Sequence, residues 1–310
     1  MVRHSVRSLA GLIRRHIREE FHLRATLIVL VFLTLAVVVN AYLDIEDHYI
    51  DQVWAGSPVR LLWYFLLFAI PYYFACYVLH LYGLVDNALS SKRFYLYSLF
   101  ILLVIAFDST FDWHHQLIQE LAAPGLAYWV RKCSNNLKSL LTVILPLSIF
   151  YLASRDKSRF YGLGKGTAHW YNYLLLLLFM VPLVAGASFT EGFQEVYPRY
   201  APLFKTWIPG RVRVGVYELT YAFDFVTTEL MFRGFLVIGM VRLLGSQAIL
   251  PMAAVYCFYH FGKPPLEAFS SIFGGYLLGI LAYYSRSIIG GILLHVGLAW
   301  MMELAAWLQK

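Results

Sequence analysis

The sequence predicts an all-α protein, a polytopic transmembrane helix bundle with about eight to nine membrane helices, and three observations carry that reading. Of the 310 residues, 60% are hydrophobic and only 14% charged, an apolar excess beyond that of soluble globular chains. The apolar residues fall in separate segments at about 25–43, 61–84, 94–107, 137–153, 169–187, 216–241, 246–261, 268–284 and 287–308. Several of these are near the ~20 residues a helix needs to cross the hydrocarbon core. Finally, much of the basic excess sits at the N-terminus and in short loops. The net charge of +7 therefore reads as membrane topology and excludes a nucleic-acid-binding surface. Cys76, Cys133 and Cys257 have neither paired spacing nor a CxxC, so neither a disulfide nor a thiolate metal site is implied.

Residues 1–23 form a basic N-terminal arm. Its apolar positions are interspersed with arginines, which excludes the unbroken core of a signal peptide. Val6, Leu9, Ile13 and Ile17 recur at helical spacing among Arg3, Arg7, Arg14, Arg15 and Arg18. This suits an amphipathic helix held on the cytoplasmic face by anionic lipid, or a basic topogenic tail. Either way the N-terminus is inside. Residues 24–154 then read as N-terminal transmembrane helices and residues 155–310 as a second helical core.

With the N-terminus inside, the loop 44–60 with Asp44, Glu46, Asp47 and Asp51 falls outside. Ser91-Lys92-Arg93 and Arg155-Asp156-Lys157-Ser158-Arg159 fall inside, as the positive-inside rule asks. The outside loop 188–215 runs against it, carrying Arg199, Lys205, Arg211 and Arg213. The expected location is a bacterial inner membrane. Residues 108–135, with Trp113, His114, His115 and the break Ala123-Pro124-Gly125, read as a peripheral helix at the interface. Adjacent helical residues point to different sides, so His114 and His115 are not expected to act jointly. Tyr161-Gly162-Leu163-Gly164-Lys165-Gly166 reads as a cytoplasmic turn. Gly274, Gly275 and Gly279, then Gly290, Gly291 and Gly297, allow close helix approach.

Within the segment at 216–241, Thr228-Glu229-Leu230-Met231-Phe232-Arg233-Gly234 places a carboxylate and a guanidinium in apolar surroundings. Glu229 and Arg233 are four apart and share a helix face. Such residues are costly in a membrane and face the bundle interior, either as a structural ion pair or as functional groups. His260 and His295 lie on later apolar segments, at depths of roughly 20 Å and 12 Å on a rise of 1.5 Å per residue. Glu229, His260 and His295 are expected to converge in one cavity. Phe261-Gly262-Lys263-Pro264-Pro265 then breaks the helix beside His260. Glu267, just past the break, reads as a surface carboxylate.

These motifs resemble the CPBP family of CAAX prenyl protease and bacteriocin-processing intramembrane endopeptidases, whose pattern is Glu-Glu-x-x-x-Arg, Phe-x-x-x-His and His-x-x-x-Asn/Asp on successive helices. The matching positions are Thr228-Glu229 with Arg233, Tyr256 with His260, and His295 with Ala299, over about residues 160–310. The resemblance implies a helical bundle with a cavity open to membrane and cytoplasm. It implies a glutamate and the second-motif histidine activating water, and the third-motif histidine and asparagine stabilising the oxyanion. A zinc site formed by Glu229, His260 and His295 is the alternative reading of the same residues, with Asp224 as base. The chain departs from the pattern at Thr228, which cannot act as a base, and at Ala299, which cannot donate a hydrogen bond. The change to Tyr256 is milder.

Glu229 remains, Asp224 lies one turn before Thr228 on the same face, and Glu303 is a further polar candidate eight residues after His295. The expected activity is hydrolysis of membrane-associated or prenylated-type peptides by Glu/His-activated water, with no cofactor favoured and zinc as the alternative. The partners expected are a membrane-associated peptide or protein substrate and the lipid bilayer, with no nucleic acid. Two other readings stand beside this one. A catalytically impaired family member could serve as a membrane binding or scaffold protein. An ion-coupled transporter could use Asp224, Glu229, Arg233 and His260 as a proton relay, although the chain lacks an inverted repeat.

Overall fold

The computed structural model describes residues 9–123, 125–154, 159–167, 170–203 and 205–310. Arg3, Val6, Arg7, Pro124 and the basic run at 155–158 lie outside the described residues. Among the described residues every regular element is helical. The principal α-helices are α1 (Leu9–Glu19), α2 (Leu23–Leu43), α3 (Val59–Leu81), α4 (Lys92–Thr110), α5 (His114–Leu121) and α6 (Ala127–Leu137). They continue with α7 (Leu145–Ser154), α8 (Trp170–Ala187), α9 (Gly210–Glu229), α10 (Ile249–Phe258), α11 (Pro265–Ser285) and α12 (Ile289–Gln309). Three stretches wind as wider π-helix, Ile45–Gln52, Leu140–Ile144 and Leu230–Gly239. Eight helical stretches among the described residues are long and apolar enough to cross a membrane. The protein is thus an all-α, polytopic integral membrane protein.

The chain divides into two compact units. The first comprises residues 1–110, 156–169 and 230–291, and the second comprises 111–155, 170–229 and 292–310. One boundary falls inside a continuous helix, between Glu229 and Leu230.

In the first unit α10 is buried along its whole length and packs on α3 and α11. Gly279 permits the α10–α11 approach, since a Cβ there would meet Met252 Cε at 2.7 Å and Ile249 Cγ2 at 2.9 Å. Gly274, by contrast, faces open space. The turn at 159–167 reaches inward at Tyr161. Tyr161, at φ 47°, is fully buried against the π-stretch, where a Cβ on Gly234 would lie 2.9 Å from the Tyr161 carbonyl oxygen.

The N-terminal arm is helical from Leu9 and docks on protein. His16 Nε2 lies 2.9 Å from the Tyr276 hydroxyl, and the Arg15 guanidinium sits 5.3 Å over the Tyr284 ring. Burial holds the His16 imidazole below its usual pKa. The buried stripe is Leu12 and His16, so Ile17 from the expected apolar stripe stays exposed beside Arg14 and Arg18.

In the second unit α6 packs along α9. The Trp129 indole N–H donates to the Arg213 carbonyl at 2.9 Å, and the Asn136 side-chain amide donates to Thr220 Oγ1 at 3.2 Å. A Cβ on Gly297 of α12 would meet Leu177 Cδ1 of α8 at 2.8 Å. His114 and His115 do meet, contrary to the expectation from helical spacing. Both Nε2 atoms reach Asn135 Oδ1, at 3.0 and 2.6 Å. They are the first two residues of α5, where long side chains can still bend toward one partner.

Candidate functional site

Every residue from Thr227 to Met240 is buried, so Glu229 and Arg233 lie in the most enclosed part of the chain. Glu229 ends α9 and is 0% exposed. Its Oε1 lies 2.8 Å from Nδ1 of His295 on α12, both within the second unit. Phe225, one turn earlier on α9, packs against the His295 ring at a centroid distance of 5.5 Å, the two rings tilted by 33°. Sequence reading grouped Glu229 with His260 and His295 and offered Arg233 as its helical neighbour; the contact with His295 lies within that grouping.

Thr228, Asp224, Ala299 and Glu303, also suggested by sequence, belong to the second unit as well. Thr228 is buried. Asp224 is partly exposed, and its backbone carbonyl accepts from Thr227 Oγ1 at 2.8 Å. Ala299, one turn after His295, is buried in a cluster with Tyr200, Tyr217 and Tyr221. The space beside its short side chain is walled by rings. Glu303 is buried and accepts the Arg199 backbone N–H at 2.8 Å, about 12 Å along α12 from His295.

In the first unit Arg233 is 0% exposed, and its guanidinium sits 4.0 Å from the centre of the Tyr256 ring. Gly275 of α11 leaves room for this stack, since a Cβ there would lie 2.8 Å from Tyr256 Cδ1. Tyr256, where the related pattern has phenylalanine, therefore presents a π face to a buried cation.

His260 follows from how α10 ends. Its backbone N–H turns back to the Cys257 carbonyl at 3.0 Å, a tighter turn than the α-helix. The Tyr256 carbonyl, which that N–H would otherwise serve, instead accepts from His260 Nδ1 at 2.8 Å. A carbonyl can only accept, so Nδ1 carries the proton. The neutral ring then has its lone pair on Nε2, the form a general base requires.

Sequence reasoning missed the π-stretch starting at Leu230, the Tyr161 plug and the Phe225 contact. Of these, only Gly234 beside Arg233 signalled a close approach. An open hollow of about 330 Å³ lies on α5 and α6 at His115, Gln119, Tyr128 and Arg131, and holds none of the candidate residues. Among the described residues no group of three or more His, Cys, Asp or Glu side chains is arranged to hold a metal ion.

The second unit thus holds a buried carboxylate–imidazole contact, and the first a histidine whose Nδ1 is committed to a backbone carbonyl. Residues 213–301 match the family model described as type II CAAX prenyl endopeptidase Rce1-like, consistent with the CPBP family. Asp224, Thr228, Glu229, Arg233, Tyr256, His260, His295 and Ala299 all lie inside the matched stretch, and Glu303 just beyond it. The match supports an intramembrane endopeptidase of CAAX-protease type in general terms. No curated protein and no solved structure matches the chain.

Proposed function

We propose that the chain hydrolyses peptide bonds in membrane-associated substrates, prenylated-type peptides among them, using water activated by Glu229 and His260. The observation that carries this reading is the fully buried Glu229 in contact with His295 at 2.8 Å, inside the stretch that matches the endopeptidase family. Activating the water needs a carboxylate and an imidazole to take its proton, the roles assigned to Glu229 and His260. The water oxygen adds to the carbonyl carbon. The incipient oxyanion needs a preorganised donor, a role His295 can fill through a ring N–H. The proton removed from water then passes to the amide nitrogen as the C–N bond breaks. In this reading residues 155–310 are the catalytic core, the N-terminus is cytoplasmic and the membrane is a bacterial inner membrane.

Cleavage of membrane-tethered peptides by the detergent-purified protein tests it. Glu229→Gln and His260→Ala should each lower kcat/KM by about 100-fold or more, the span of general acid–base catalysis, with the melting temperature retained. Undiminished cleavage in either variant places the active site elsewhere.

Thr228 and Ala299 favour a second reading, a family member that binds without cutting, because the water-activating and oxyanion positions both lack functional groups. Thr228→Glu decides between the two. It preserves or raises turnover in an enzyme that already works. Activity appearing only in Thr228→Glu identifies a binding protein.

A further inference from the structure

The segment that carries His260 past the end of α10 is held by residues from the first quarter of the sequence. After Phe258 the chain makes tight turns, with the Phe261 N–H on the Phe258 carbonyl at 3.1 Å and the Lys263 N–H on the His260 carbonyl at 3.0 Å. Pro264 and Pro265 supply no further donors. Such a segment has little hydrogen bonding of its own to hold its position.

The missing support comes from the end of α2. The Asn40 side-chain amide, buried, donates to the Phe261 carbonyl at 3.1 Å, and its Oδ1 accepts the Glu46 N–H at 3.3 Å. Asp44 turns left-handed at φ 53° and donates its N–H to the Asn40 carbonyl at 2.7 Å. The following π-turn, Ile45–Gln52, is thereby folded back toward the break. Glu46 then presents its carboxyl group to Gly262. A Cβ on Gly262 would lie 2.7 Å from Glu46 Oε2, so no side chain fits there while Glu46 stays in place. The Tyr64 hydroxyl fixes that carboxyl group from α3, lying 3.0 Å from Glu46 Oε1 and 3.0 Å from Asp51 Oδ1. Arg60 in turn faces Asp51 at 3.8 Å. All of these residues belong to the first unit.

We propose that Asn40 and Glu46 are positioning residues that clamp Phe261 and Gly262 and so hold His260 in register for its role as base. This rests on the reading of His260 as catalytic. It assigns the N-terminal helices a part in the reaction, although they lie outside the stretch matched by the family. Burial raises the Glu46 pKa, while hydrogen bonding to the Tyr64 hydroxyl and the Gly262 backbone works against that rise.

The test uses the full-length protein in detergent with two readouts, hydrogen exchange of the 258–264 segment and steady-state cleavage. Asn40→Ala should speed exchange at Phe261–Lys263 about tenfold and lower kcat by a similar factor at unchanged KM. Glu46→Gln, which keeps the Tyr64 acceptor, should stay near wild type, whereas Glu46→Ala should behave like Asn40→Ala. Gly262→Ala attacks the clamp from the other side and replaces Asn40→Ala if that variant does not fold. Unchanged exchange in the clamp variants overturns the proposal, as does faster exchange with unchanged kcat. Absence of cleavage by wild type, or full cleavage by His260→Ala, overturns the catalytic reading instead. The exchange result still decides whether the clamp exists.

Discussion

The helix α8 and the stretch Gly210–Phe258 have the same mean hydropathy, yet they meet opposite surroundings. Only 17% of the most apolar window in α8 is buried within the protein, against 67% in the other stretch. Leu174, Leu178 and Phe179 of α8 are exposed, while Thr227 through Met240 are buried without exception. Apolar composition fits a helix equally for lipid or for a protein interior. What marks the buried stretch is its polar content. Glu229 and Arg233 need protein partners, and a helix carrying them is stable in a membrane where others enclose it.

Arg233 should show the largest stability effect of this contrast. Arg233→Leu removes a fully buried guanidinium stacked on Tyr256, a desolvated cation–π contact worth about 2 kcal/mol or more. Thermal unfolding in detergent should show a clear drop, whereas Leu178→Ser on α8 should change stability by less than about 0.5 kcal/mol. Equal effects at the two sites would remove the distinction between the stretches.

A gentler comparison uses one methyl group. Gly234→Ala places a Cβ 2.9 Å from the Tyr161 backbone oxygen, which cannot simply swing away, and should cost about 1–3 kcal/mol. Gly186→Ala on α8 meets nothing within 4 Å and should be neutral or stabilising by up to about 1 kcal/mol. Melting temperatures of the two variants should therefore move in opposite directions, or at least far apart.

The smallest effect is expected outside the spans. Burial pushes Glu46 up to about 7 from an ordinary 4.5, the nearby Asp47 and Asp51 adding to the rise while the Tyr64 hydrogen bond opposes it. A carboxyl group that holds its proton more tightly when folded favours the fold fully below pH 4.5. That contribution is lost as pH rises through about 7. The melting temperature should fall modestly over this window and level off above it. Glu46→Gln should flatten the profile, leaving a smaller slope of the same sign from Asp47, whose pKa is also raised by burial. An unchanged profile would show that Glu46 is solvated.

Much of the candidate site was legible because it violates its surroundings. A glutamate, an arginine and two histidines in apolar segments stand out at any spacing, and the order of the motifs pointed to the family that residues 213–301 match. Glu229 and His295 were grouped from their depths, but the 2.8 Å distance between them, set between α9 and α12, leaves no trace in local spacing. The proton position on His260 was equally hidden. It depends on a helix end whose hydrogen bonding decides which carbonyl is left over.

Composition and the lengths of the apolar runs determined by themselves that the chain is helical and lies in a membrane. Hydrocarbon cannot satisfy backbone polar groups, and an unbranched apolar run has no better solution than a helix. Those same runs could not distinguish α from π winding, since the side-chain pattern at 230–239 suits both. Nor could they choose which apolar surfaces face protein. Tertiary packing decided these points: the Tyr161 plug against Gly234 and Gly239, the guanidinium on Tyr256 and the grip of Asn40 on Phe261. Each joins residues far apart in the chain, and each depends on shape at separations of a few ångströms, where a single Cβ or one carbonyl decides what fits.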